Sequence, residues 1–87
     1  MPSTGDLNTY TTQGLYKYTN GVYTNSPVSD TTSGILEVFI VGTQTFIIQR
    51  MTILYASSPY IEVYQRRYRK NNQTWSSWYK ETLTVVS

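Results

Sequence analysis

Ile35-Leu36-Glu37-Val38-Phe39-Ile40-Val41, then Gly42-Thr43-Gln44, then Thr45-Phe46-Ile47-Ile48-Gln49-Arg50-Met51-Thr52-Ile53-Leu54-Tyr55, is the stretch that decides the fold. Two nearly continuous apolar runs stand either side of a tight connection. Helix is the competing reading, but the β-branched and aromatic content argues against it, because branched side chains lose rotamer freedom in a helix and fit a pleated surface. The pattern predicts two adjacent antiparallel central strands. Glu37 interrupts the first run and is expected to face solvent or to pair with a base such as Arg50.

Working outward, Leu15 to Thr19 reads as a short strand. Asn20-Gly21 is a type I′ turn signal and predicts a small hairpin with Val22 and Tyr23. Residues 24–34 are rich in turn formers and read as a loop. Asp6-Leu7-Asn8-Thr9 offers a cap or Asx-turn, with Asp6 bonding backbone N–H groups just downstream. Ala56-Ser57-Ser58-Pro59 is a turn, and Tyr60 to Tyr68 a further strand. That strand carries Tyr60, Glu62, Tyr64, Arg66 and Tyr68 on one face and Ile61 and Val63 on the other. Asn71-Asn72 turns the chain again. Trp75 to Tyr79 and Thr82 to Val86 supply one or two last strands.

The expected fold is therefore all-β: a small antiparallel β-sandwich or half-open sheet of five to seven short strands, with at most a short helical turn near the N-terminus. Residues 1–5 read as a disordered lead or cloning remnant, and 6–87 as one knob-like domain. Central strands that are apolar on both faces call for a second layer, from other strands or from a neighbouring subunit.

Composition narrows the function. The chain has 87 residues and no cysteine or histidine. Disulfides and Cys-ligated metals are excluded, and the commonest general base is missing. A domain this small buries only roughly 60–65% of its surface, so oligomerisation is the remaining supplement to the core. The net charge of +2 comes mostly from one run, Arg66, Arg67, Arg69 and Lys70. Such a small charge makes no case for a nucleic-acid partner. No apolar run reaches the roughly 18 residues of a bilayer span, and no signal peptide is visible at the start. The absence of cysteine fits folding in a reducing cytoplasm.

Glu37 and Glu62 are the only carboxylates inside expected strands. A glycosidase needs such a pair across a cleft, and nothing in the sequence places these two together. No Ser, Thr or Lys has a visible activating partner. No phosphate loop or metal-ligand spacing is present. The expectation is a protein that is not an enzyme and takes no cofactor or metal.

Three constellations invite a binding reading. Trp75 and Trp78, three apart, would face opposite ways in a regular strand, so a bulge or turn is expected between them. They are either core anchors that staple the C-terminal strand onto the Asp6-Leu7-Asn8 turn, or a sugar-stacking platform. Tyr60, Tyr64 and Tyr68 with Arg66 form either a ligand face or a subunit interface. Arg67, Arg69 and Lys70, with Arg66, suit an anionic polymer such as teichoic acid, acidic polysaccharide or lipopolysaccharide phosphate. They equally suit a solvated, charged strand edge.

The order of these pieces resembles the pyocin-knob family, small domains of tail fibres in bacteriophages and phage-tail-like bacteriocins. The resemblance runs from Asp6 to about Glu81. It is carried by Asp6-Leu7-Asn8, Thr12-Gln13-Gly14-Leu15-Tyr16, the Pro27 loop, Gly34-Ile35-Leu36-Glu37-Val38, Ile47-Ile48-Gln49, Tyr64 with Arg66, and Trp75-Ser76-Ser77-Trp78. The Arg66–Lys70 run is more basic than the family pattern. The resemblance implies a knob at the host-contacting end of a fibre, working outside the cell as part of a phage or prophage virion tail and often trimeric. It implies a host receptor such as a bacterial surface polysaccharide, and no catalytic residues. A purely structural fibre spacer or trimerisation module is the alternative.

Overall fold

A computed structural model describes residues 1–43 and 45–86. Strands β1 (Thr4–Asp6), β2 (Gly14–Thr24), β3 (Thr32–Val41), β4 (Phe46–Leu54), β5 (Ile61–Arg69), β6 (Thr74–Trp75) and β7 (Tyr79–Lys80) form one curled sheet. Its order is β1-β2-β3-β4-β5-β6, with β7 also on β5. The half-open sheet is thus realised, not the sandwich. The sheet is mixed, because β1 runs parallel to β2. The two apolar runs are β3 and β4, paired antiparallel from Ser33↔Leu54 to Val41↔Phe46. Gly42 and Thr43 take positive φ in the tight connection between them; the remaining residue expected there, Gln44, lies outside the described residues.

Several expectations are corrected. Asn20-Gly21 makes no hairpin. Asn20, at φ 50°, is the extra residue of a bulge within β2. Thr19 and Asn20 together face Ser33, whose Oγ accepts from the Asn20 N–H at 2.9 Å. Strand alternation would put Tyr18 and Gly21 on opposite faces. The bulge resets the phase, so Tyr18, Gly21 and Tyr23 are all buried.

Residues 1–5 are not a free lead. The Val22 N–H donates to Ser3 O and the Tyr23 hydroxyl to Pro2 O, and β1 closes the β2 edge. Within the expected 24–34 loop, Thr32 to Gly34 already belong to β3. Tyr60 lies outside β5 at φ 68°. Residues 82–86 join no ladder, and Val85 is 90% exposed. Their β propensity meets no partner edge, and propensity alone does not make a strand.

The core fills the concave face. Leu36, Val38, Ile47, Met51 and Ile53 converge there with Tyr18, Tyr23 and Leu7. Over the concave face the chain itself supplies the covering layer, the short 3₁₀ turn Leu7–Thr9, with Tyr10, Val28, Tyr55 and Trp78 packed against the same core. The convex face keeps Leu15, Phe39, Val41, Leu54 and Ile61 exposed.

Gly34 sits mid-strand between Tyr18 and Ile53. A Cβ there would run into the Thr52 carbonyl oxygen, which is backbone and cannot give way. Gly34→Ala is therefore expected to lower stability by about 3 kcal/mol or more, the range of severe overpacking. Urea unfolding followed by tyrosine and tryptophan fluorescence checks this; an unchanged midpoint would remove the close β3–β4 approach from the account.

Candidate ligand-contact site

β5 and the edge strand beside it assemble most of the sequence-predicted residues. β6 pairs Trp75 with Tyr68, and β7 pairs Tyr79 with Gln65. Three edge residues, Ser76 to Trp78, therefore face two on β5, Arg66 and Arg67. Arg67 clamps this bulge, donating its N–H to the Ser76 Oγ at 2.9 Å and accepting from the Ser76 N–H at 2.8 Å. The extra residue shifts the strand phase, so Trp75 and Trp78 both reach the same buried guanidinium.

That guanidinium is Arg66, 6% exposed. It lies 3.8 Å from the Trp75 ring centroid and 4.6 Å from that of Trp78. Its Nε donates to Gln49 Oε1 at 2.8 Å. The Gln49 amide then donates to Leu7 O at 2.7 Å and Tyr10 O at 2.9 Å. Asp6 caps the 3₁₀ turn by accepting from the Asn8 N–H at 2.9 Å, and takes the Asn25 amide at 2.7 Å. Trp78 Nε1 donates to Asn25 O at 2.9 Å. One network thus joins the N-terminal turn, β4, β5 and the edge strand.

Burial sets its energetics. Desolvation pulls the Arg66 pKa down to about 10, against the opposing pull of Asp6, so the side chain stays charged at neutral pH. The Asn25 and Asn8 hydrogen bonds, and then Arg66, hold the Asp6 carboxyl below its ordinary value. Burying an ion costs several kcal/mol, whereas a cation–π contact returns about 2. The aromatic contacts alone do not balance the burial; the Gln49 bond and the Asp6 charge are needed.

Trp75 and Trp78 both pack on Arg66, which through Gln49 ties the edge strand to the N-terminal turn. The guanidinium lies over one face of each indole. Tyr68 is half-buried with its ring 4.9 Å from that of Trp75. Tyr64 is also half-buried and belongs to a second cluster. There Glu62 accepts from Tyr55 at 2.6 Å, Tyr64 at 3.4 Å and Lys80 at 2.6 Å. Tyr60 is 61% exposed and precedes β5, its carbonyl accepting the Tyr55 N–H at 2.8 Å. Arg67, Arg69 and Lys70 are exposed at the opposite end of β5.

Gln49, Asn8 and Asn25 belong to the network but were not among the candidates. Gln49 shares its strand face with Ile47, Met51 and Ile53, all buried. An amide at a core position of that alternation was the available signal. Asn8 gave no signal beyond its place in the capping turn. Among the described residues, no three acidic side chains gather as a metal site would require, and no helix is long and apolar enough to cross a membrane. Searches of family models, curated proteins and solved structures return no match to this chain.

Gln49→Leu keeps the volume but strands Arg66 Nε and two backbone carbonyls. The expected loss is about 3 kcal/mol, out of a total of roughly 5–10 for a domain of this size. Denaturant titration reads it, and a loss under about 0.5 kcal/mol, the level of an ordinary surface change, contradicts the network.

Acid tests the second cluster. Lys80, Tyr55 and Tyr64 all favour the ionised Glu62, holding its pKa below the usual carboxylate value. The folded state then binds that proton less tightly than the unfolded state. Stability is full above about pH 4.5 and falls as pH drops through the lowered value. Glu62→Gln should flatten part of that fall when unfolding midpoints are compared between pH 7 and pH 3; an identical slope in the variant assigns the acid sensitivity elsewhere.

Proposed function

We propose that this chain is a non-catalytic, receptor-contacting knob module of a phage-type tail fibre or baseplate. Its contact surface is the end of the sheet where β5 turns into β6. The observation that carries this reading is how the positive charges are distributed. Arg50 is tied to Glu37 and Glu81, and Lys80 to Glu62. Arg66 is buried. Among the described residues, Arg67, Arg69 and Lys70 form no ion pair, and they crowd one exposed rim. Lys17, whose side chain likewise forms no ion pair among the described residues, lies on β2. A rim of unpaired arginine and lysine suits phosphate or carboxylate groups repeated along a polymer. The tail-fibre setting comes from the sequence resemblance. A repeated, weak contact of this kind gains from several copies on one fibre through avidity.

The spacer or trimerisation reading has its own support. Leu15, Phe39 and Val41 lie exposed on the convex face, at 56%, 41% and 46%. A second copy of the chain covering that face would hide them. The two readings meet on one face, because Arg69 and Arg67 stand in the same cross-strand rows as Val41 and Phe39.

Purified protein is expected to bind an isolated bacterial envelope fraction carrying teichoic acid or acidic polysaccharide, with affinity falling as salt rises. The triple variant Arg67→Ser, Arg69→Ser, Lys70→Ser should lose at least about tenfold, two weak charged contacts' worth. Equal binding by the variant rejects the rim, and so does failure of the wild type to bind any envelope fraction.

A further inference from the structure

Beside the charged rim, on the concave side, lies an open hollow of about 550 Å³. Ile47 forms its apolar floor. Asn8 and Thr11 line one side, and Tyr68, Lys70 and Trp75 the other. Its size falls in the roughly 300–1,000 Å³ range of small-ligand sites. The wall holds an unexplained atom. Asn8 Oδ1 is buried and accepts no hydrogen bond. The Asn8 backbone N–H already satisfies the Asp6 cap, so the turn does not need this side chain. Arg66 Nη2, on the guanidinium packed against Trp75, is a second buried atom without a partner. Buried polar atoms are almost always paired, and each exception asks for an explanation.

We infer that this hollow takes one polyol ring bearing a single negative charge, the repeating unit of an acidic surface polymer. The inference rests on the receptor-contacting reading above and locates its specific subsite. Each part of the ligand meets a complementary group. A ring hydroxyl donates to Asn8 Oδ1, an acceptor that has no other donor. The anionic substituent meets Lys70, which has no carboxylate partner among the described residues. The C–H face of the ring lies on the edges of Tyr68 and Trp75, above the buried Ile47. Full stacking on the indole is not required, because Arg66 already covers that ring. Arg67 and Arg69, outside the hollow, engage the neighbouring units of the polymer less selectively.

The charge can come from a carboxylate or a phosphate. An oligogalacturonate and a glycerol-phosphate oligomer are therefore titrated separately, with a neutral malto-oligosaccharide as the third arm. The Trp75 indole N–H and the Asn8 side-chain amide are followed by NMR, and affinities by calorimetry. One charged probe is expected to shift both signals and to bind at least about fivefold more tightly than the neutral one, the worth of about 1 kcal/mol from a single exposed charge contact. Lys70→Gln should erase that preference, and Asn8→Ala should weaken the charged probe. Asn8→Ala removes an atom that bonds nothing, so its unfolding midpoint should stay at the wild-type value.

Binding lost in Arg67→Ser/Arg69→Ser but unchanged in Lys70→Gln and Asn8→Ala overturns the hollow and leaves the rim standing. So does binding in which neither the Trp75 nor the Asn8 signal moves. No binding by any probe, with the envelope fractions still bound, overturns the polyol ligand alone. No binding to probes or fractions overturns both.

Discussion

A buried guanidinium organises this protein. Arg66 lies under two tryptophans and is held from below by Gln49, which in turn grips the carbonyls of the N-terminal turn. A single curled sheet has one face that its own strands cannot cover. In a sandwich a second sheet does that work. Here a 3₁₀ turn, two loops and an edge-strand tryptophan do it, and such irregular pieces bring unpaired backbone groups into the interior. Gln49 and Arg66 satisfy those groups. The polar pair is what allows so small a chain to close its core without a disulfide.

Two bulges of one residue each make the arrangement possible. Asn20 resets β2 so that Tyr18 and Tyr23 share the interior. Ser76 to Trp78 reset the edge strand so that Trp75 and Trp78 share Arg66. In each case strict alternation would have turned an aromatic ring out to water. The bulges also decide which residues are left for a partner. The aromatic side chains that look most suited to recognition are largely consumed by packing, and three of the cations without an ion pair among the described residues, Arg67, Arg69 and Lys70, gather at the turn end of β5. Contact with a receptor, on this account, is made by residues whose neighbours are locked, so the rim is presented on a rigid frame.

Much of the fold was legible in the chain. The two apolar runs around Gly42 announced β3 and β4 because their β-branched and aromatic residues suit a pleated strand, although only one face of each is buried. The Asp6 cap was legible because capping chemistry is local, and the Glu37–Arg50 pairing because the two runs had to face each other. Asn20-Gly21 misled because an Asn at positive φ serves a bulge as well as it serves a hairpin; only the longer ladder with β3 distinguishes them. Residues 1–5 misled because their order comes from Val22 and Tyr23, far along the chain. The site was half legible. Trp75, Tyr68 and Lys70 stood out by type. Asn8 and Thr11 did not, since they join the hollow only through tertiary folding.

The most direct measurement is proton exchange at the Arg66 Nε position, followed by NMR in labelled protein. A guanidinium held by Gln49 beneath two indoles should exchange only when the whole domain opens, as slowly as the backbone amide of Met51 in the same core. Exchange at Arg66 as fast as at the exposed Arg67 and Arg69 would mean that the charge is neither buried nor held, and the account of how this sheet closes would fail.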